Sequence, residues 1–218
     1  MRDHFEEQLN QLHEELVRMG SCCEEIIGLA SKALTGYDRE LVRQAAEVGA
    51  RIDESERAIE TICLKLLLRQ QLVANDLRRI SAAMKMITDL ERIGDQAEDI
   101  IDLIPKMERR ADEKFPRIRE MAQAVRQMVT EAVAAYVARD VSLARNVMMR
   151  DDVVDEHFSA VKKGIVGIIA EDPGEGEYAL DLLMIAKYFE RIGDHCTNIA
   201  EWVEFAVTGI HRDSQKEL

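Results

Sequence analysis

The stretch LERIGDQAEDIID, Leu90 to Asp102, returns ninety-nine positions later as FERIGDHCTNIAE, Phe189 to Glu201. A repeat of this kind means that the chain is assembled from two copies of one unit, and any fold must accommodate that unit twice. Only three prolines and eleven glycines punctuate the 218 residues, and aromatic residues make up 5%. With little strand-like alternation anywhere, the composition is that of a helical protein.

Between the punctuation marks, apolar residues recur at helical spacing. Leu9, Leu12, Leu16, Cys23, Ile26, Ile27, Ala30 and Leu34 mark a first helix, and Ala45, Val48, Ile52, Ile59, Ile62 and Leu66 a second. A third is predicted from Asp76, as N-cap, to Ile104, ending at Pro105 and the charged linker MERRADEK. A fourth starts near Pro116, a fifth spans about Ser142 to Ala170, and a sixth runs from Tyr178 to Val207 after the turn EDPGEGE. Short turns at TGYD and ARD favour antiparallel neighbours. The expectation is an all-α fold of two repeated three-helix bundles, residues 1–110 and 111–218, packed together.

No run of eighteen apolar residues is available to span a bilayer, and the opening MRDHFEEQLNQLHEEL lacks the build of a signal peptide. A cytosolic protein without direct membrane insertion is expected. Cys22, Cys23, Cys63 and Cys196 form no CxxC and no zinc spacing, and read as reduced core residues. Twenty-nine Lys plus Arg against forty-two Asp plus Glu leave a formal charge of -13, which disfavours nucleic acid and makes cations natural partners. Arg78 with Arg79, and Arg109 with Arg110, are local basic exceptions.

On a helix turning about 100° per residue, Glu91, Asp95, Asp99 and Asp102 fall at roughly 0°, 40°, 80° and 20°, with Glu98 close beside them. Glu190, Asp194, Asn198 and Glu201 repeat the stripe, with one Asp exchanged for Asn. Like charges four residues apart cost a helix roughly 0.2–0.5 kcal/mol per pair, and a cation with a preference for oxygen ligands would offset that repulsion. Asp151 and Asp155 form an i,i+4 pair at the edge of the fifth helix's apolar stripe, and Asp53 is the first-half match of Asp155. Gly49 stands where Asp151 has its counterpart, so the first site is built differently from the second. Gly94 and Gly193 suit the close approach of a neighbouring helix.

Catalytic signatures are missing: there is no GxSxG, no P-loop and no HExxH. A di-iron oxidase on a bundle wants Glu-x-x-His pairs, and none of the five histidines has a glutamate three residues before it. A carboxylate-bridged metal-dependent hydrolase or oxidase is the alternative at this stage, and an ordinary solvated acidic face is the plain one.

The twin ERIGD helices, RQQLVANDLRRI before the first of them, DLR at Asp76 to Arg78 and the DxxVD step from Asp151 to Asp155 resemble the PhoU family of phosphate-signalling proteins along essentially the whole chain. The resemblance implies a cytosolic, oligomeric (commonly homodimeric), all-helical protein without catalysis of its own. Such a protein restrains phosphate uptake and the phosphate-starvation response when phosphate is plentiful. It implies two partners, the ATPase subunit of the high-affinity phosphate transporter and a sensor histidine kinase. It also implies metal ions (Mn, Fe, Mg or Zn) on Glu91, Asp95, Asp99, Glu190, Asp194 and Asn198, with Asp53, Asp151 and Asp155 from neighbouring helices.

Overall fold

Apolar residues spaced three and four apart can be hidden from water only if each helix lays one stripe against others. The computed structural model describes residues 2–36, 38–69, 73–106 and 116–210. Among these, six long helices form: α1 (Arg2–Thr35), α2 (Arg39–Arg69), α3 (Ala74–Leu103), α4 (Pro116–Ala138), α5 (Val141–Glu171) and α6 (Gly176–Thr208). Single 3-10 turns follow α3 at Ile104–Lys106 and precede α6 at Pro173–Glu175, and no strand occurs among the described residues.

Helices α1, α2 and α3 pack on one another, as do α4, α5 and α6. The two sets join through α1 against α4 and, more extensively, through the motif helices α3 and α6. Four helices therefore make the centre, with α2 laid outside α1 and α3, and α5 outside α4 and α6. Leu9, Leu12, Leu16, Ile26, Ile52, Met86 and Phe189 are fully buried there. Each such side chain contributes roughly 1.5–3 kcal/mol relative to exposure. All four cysteines are free and buried. Gly20 lets α1 approach α4, since an added Cβ would stand 2.9 Å from Val133 Cγ2.

Helix ends follow local chemistry, with one departure from expectation. Asp140 caps α5, its Oδ1 accepting from the Leu143 N–H at 3.0 Å, and Gly209 closes α6 at φ 78. Asp76 is not the N-cap of α3: the helix begins two residues earlier, behind an extended Val73 that makes no side-chain cap bond. Asp76 sits in the first turn, where a negative charge favours the helix dipole. The linker MERRADEK, with Arg109, Arg110 and the 110/111 boundary, lies outside the described residues.

Candidate metal centre

In the first repeat the acidic stripe turns toward α2. Glu91, Gly94, Asp95 and Glu98 of α3 face Gly49, Ile52 and Asp53 of α2 across an open cleft of about 320 Å3. Burial, and then the charge of Asp95, raise the Glu91 carboxyl above its ordinary range. Glu98 is raised by burial, then Asp95, Asp102 and Asp53, and Glu56 by burial, then Glu91, Asp53 and Glu60. Counter-charge is present at the rim only: Arg92 meets Asp95 at 3.1 Å and Glu91 at 3.5 Å, and Arg57 meets Asp53 at 3.7 Å.

The second repeat gathers Asp151 and Asp155 of α5 with Glu190 and Asp194 of α6. Burial, with Asp155, Asp194 and Glu190 close by, pushes Asp151 up to about 6. Asp194 is raised by burial and then Glu190, and Asp155 likewise by burial and then Glu190. Lys187 forms an ion pair with Glu190 and also lies 5.5 Å over the Phe158 ring. Asp151, Asp155 and Asp194 are thus all raised with Glu190 among the causes, and one lysine lies in the group, which is the electrostatic condition of a cation site.

The glycines explain how the carboxylates fit. An added Cβ at Gly193 would stand 2.7 Å from Asp151 Oδ1, so the missing side chain on α6 is the space that Asp151 occupies. Gly94 serves packing, with Ile52 Cδ1 2.9 Å from where its Cβ would be. At Gly49 an added Cβ would overlap Glu98 Oε1. A carboxylate therefore sits at the junction of second and third helix in both repeats. It is supplied by α5 in the second repeat, through Asp151, and by α3 in the first, through Glu98.

Two of the nine residues expected as metal ligands make contacts at the seam between α3 and α6. Asn198 donates its amide to Asp89 Oδ1 at 3.2 Å, across the seam between α6 and α3, and the same oxygen meets His195 Nδ1 at 2.9 Å. Asp99 does not line the first cleft; it faces the seam near Tyr188 and Arg191. At roughly 80° on the helical wheel, positions 99 and 198 lie at one edge of the stripe, and Glu98, at about -20°, lies at the other. Helical angle alone does not choose between them; the packing of α2 against α3 puts Glu98 in the first cleft and Asp99 outside it.

Among the described residues, no three His, Cys, Asp or Glu side chains converge on a single point at metal-ligand geometry. The donors fit a cation chemically: all are hard oxygens, Glu91, Asp95, Glu98, Asp151 and Glu190 are partly buried, and Gly49 and Gly193 give two of the donors room beside a helix backbone. Glu91, Asp95, Glu98 and Asp53 would hold a metal in the first cleft, and Asp151, Asp155, Glu190 and Asp194 in the second.

The PhoU domain profile matches residues 16–104 and again 118–203. A Clostridium acetobutylicum protein described as a phosphate-specific transport system accessory protein PhoU homolog is 35% identical over 95% of this chain and 96% of its own length. A Pseudomonas aeruginosa protein of the same description is 33% identical over 94% and 86%. The crystal structure of PhoU from Pseudomonas aeruginosa superimposes with a TM-score of 0.86 at 33% identity, covering 94% of this chain and all of that one. The PhoU from Streptococcus pneumoniae, at 24% identity and a TM-score of 0.84, shares the fold. This chain belongs to the PhoU family.

Proposed function

We infer that the protein is a cytosolic accessory regulator of phosphate transport. When phosphate is plentiful it restrains high-affinity uptake and the starvation response, by linking the transporter's ATPase subunit to a sensor histidine kinase. The observation that carries this reading is similarity along nearly the full length of both chains to proteins described as phosphate-specific transport system accessory proteins. Membership in a family of accessory proteins weighs against the hydrolase or oxidase alternative. None of the helices among the described residues is long and apolar enough to cross a membrane, so the protein reaches the transporter through contacts rather than insertion.

Within this reading, the two acidic clefts take Mn, Fe, Mg or Zn ions, and a bound ion removes the repulsion among four carboxylates on two helices. Each ion thereby fixes the outer helix, α2 or α5, against the motif helix, and a homodimer or partner surface on those outer helices gains a defined shape. The test is co-purification of the transporter ATPase and of the kinase's cytosolic portion with this protein, before and after chelation. Retention of either partner supports the adaptor role, and loss on chelation supports the part assigned to metal. Failure to retain both, with and without metal, contradicts the adaptor role.

A further inference from the structure

A second site lies at the opposite sign of charge. Where the start of α3, the end of α4 and the end of α6 meet, a crevice of about 70 Å3 is lined by Asn75, Arg79, Tyr136, Arg139 and the apolar Val203 and Ala206. Arg79 is only 8% exposed, and a buried guanidinium is costly unless charge and hydrogen bonds compensate it. Its visible partner is one neutral group: His13 Nε2 accepts from Arg79 NH2 at 3.1 Å. Burial, and then Arg79 and Arg139, lower the His13 pKa, which keeps the imidazole neutral and able to accept. The Arg79 carbonyl is held as well, by the Tyr136 hydroxyl at 3.0 Å. Arg79 is thus held at both ends, and among the described residues one hydrogen bond, to His13, engages its guanidinium.

Arg139 adds a second oddity. It is the only non-glycine residue among those described with positive φ, at 56°, a conformation that favours glycine or asparagine and costs other residues of order 1 kcal/mol or more. Its side chain lines the crevice beside Arg79, and no carboxylate among the described residues forms an ion pair with either arginine. The nearest acids, Glu6 and Asp76, act on Arg79 through space. Arg78 lies to the side, 3.5 Å from the position of a Cβ on Gly209 at the end of α6, with its Nε buried and without a hydrogen-bond partner among the described residues. The uncapped first turn of α3 contributes its own partial positive charge.

We propose that this crevice binds a small tetrahedral oxyanion of the phosphate class, with Arg79 and Arg139 as the charged donors and Asn75 as a neutral one. Arginine forks match the oxygens of such an ion, and the apolar wall of α6 removes water from one side. The site is independent of the acidic clefts, so it is tested in excess chelator, where phosphate on a metal cannot contribute.

The experiment is calorimetric titration of the full chain with inorganic phosphate at constant ionic strength, with sulfate and acetate as comparison ligands. It is run on wild type, Arg139→Gly, Arg139→Asn and, as a distant control, Arg18→Ala. Glycine and asparagine suit the left-handed backbone, so both variants should fold as well as wild type. The expected result is saturable binding of phosphate or sulfate that weakens at least about tenfold in both Arg139 variants and is unchanged in Arg18→Ala. No saturable binding, binding that acetate reproduces, or equal weakening in Arg18→Ala would overturn the proposal.

Discussion

The Glu98 carboxylate fills the space that Gly49 leaves on the facing helix. Residue 49 corresponds to Asp151 of the second repeat, and Glu98 to Thr197, so the acid and the small residue have changed places between helices. Restoring an acid at 49 alone should crowd Glu98: Gly49→Asp is expected to lose about 1–3 kcal/mol in chemical denaturation. The double variant Gly49→Asp, Glu98→Thr copies the second repeat and should recover most of that loss. A single variant as stable as wild type would contradict the exchange.

Asp151 ties stability to pH. Its folded pKa, about 6, lies above the ordinary aspartate value of 3.8, so the folded state holds this proton more tightly than the unfolded chain. The contribution to stability is full below about pH 4 and is lost as pH rises through 6. In metal-free protein, the thermal midpoint of wild type minus that of Asp151→Asn should fall between pH 4 and 6.5. A flat or rising difference would show that Asp151 is not destabilised by its neighbours.

Gly193 and Gly94 occupy the same place in the two motifs but have different neighbours. Gly193→Ala gains about 1 kcal/mol of helix propensity while displacing Asp151, so its stability should change little and its second-cleft metal should drop. Gly94→Ala meets Ile52 instead and should cost about 1–3 kcal/mol by overpacking. Full metal retention in Gly193→Ala would remove Asp151 from the ligand set.

Asp89 links the repeats by accepting from both His195 and Asn198. Asp89→Ala should cost about 1–2 kcal/mol, and the double-mutant cycle with Asn198→Ala should show a coupling of at least about 0.5 kcal/mol. Additive losses would place Asn198 elsewhere in solution.

Much of this architecture was legible because helical periodicity and a duplicated motif are strong signals. Leu9 to Leu34 and Ile93 to Ile104 bury the faces that their spacing indicates. The helical angle that marked the acidic stripe does not show which neighbouring helix each edge of it meets. Asp99 and Asn198 share the stripe's sequence step but face the α3 to α6 seam, which no single-helix wheel contains. Asp76 has the chemistry of a cap, yet α3 starts two residues earlier, behind an exposed and extended Val73. Arg79 stands out in the sequence only as one of a basic pair, since its burial depends on helices converging from distant parts of the chain.

The measurement that tests the account most directly is elemental analysis of untagged protein purified without chelator, wild type against Asp95→Ala plus Asp194→Ala, with circular dichroism on both. The account predicts bound metal in the wild type and its loss from a variant that keeps full helicity, because both residues lie off the core. A wild type that retains no manganese, iron, zinc or magnesium after incubation with each would contradict it, leaving the repeated stripe as acidic surface alone.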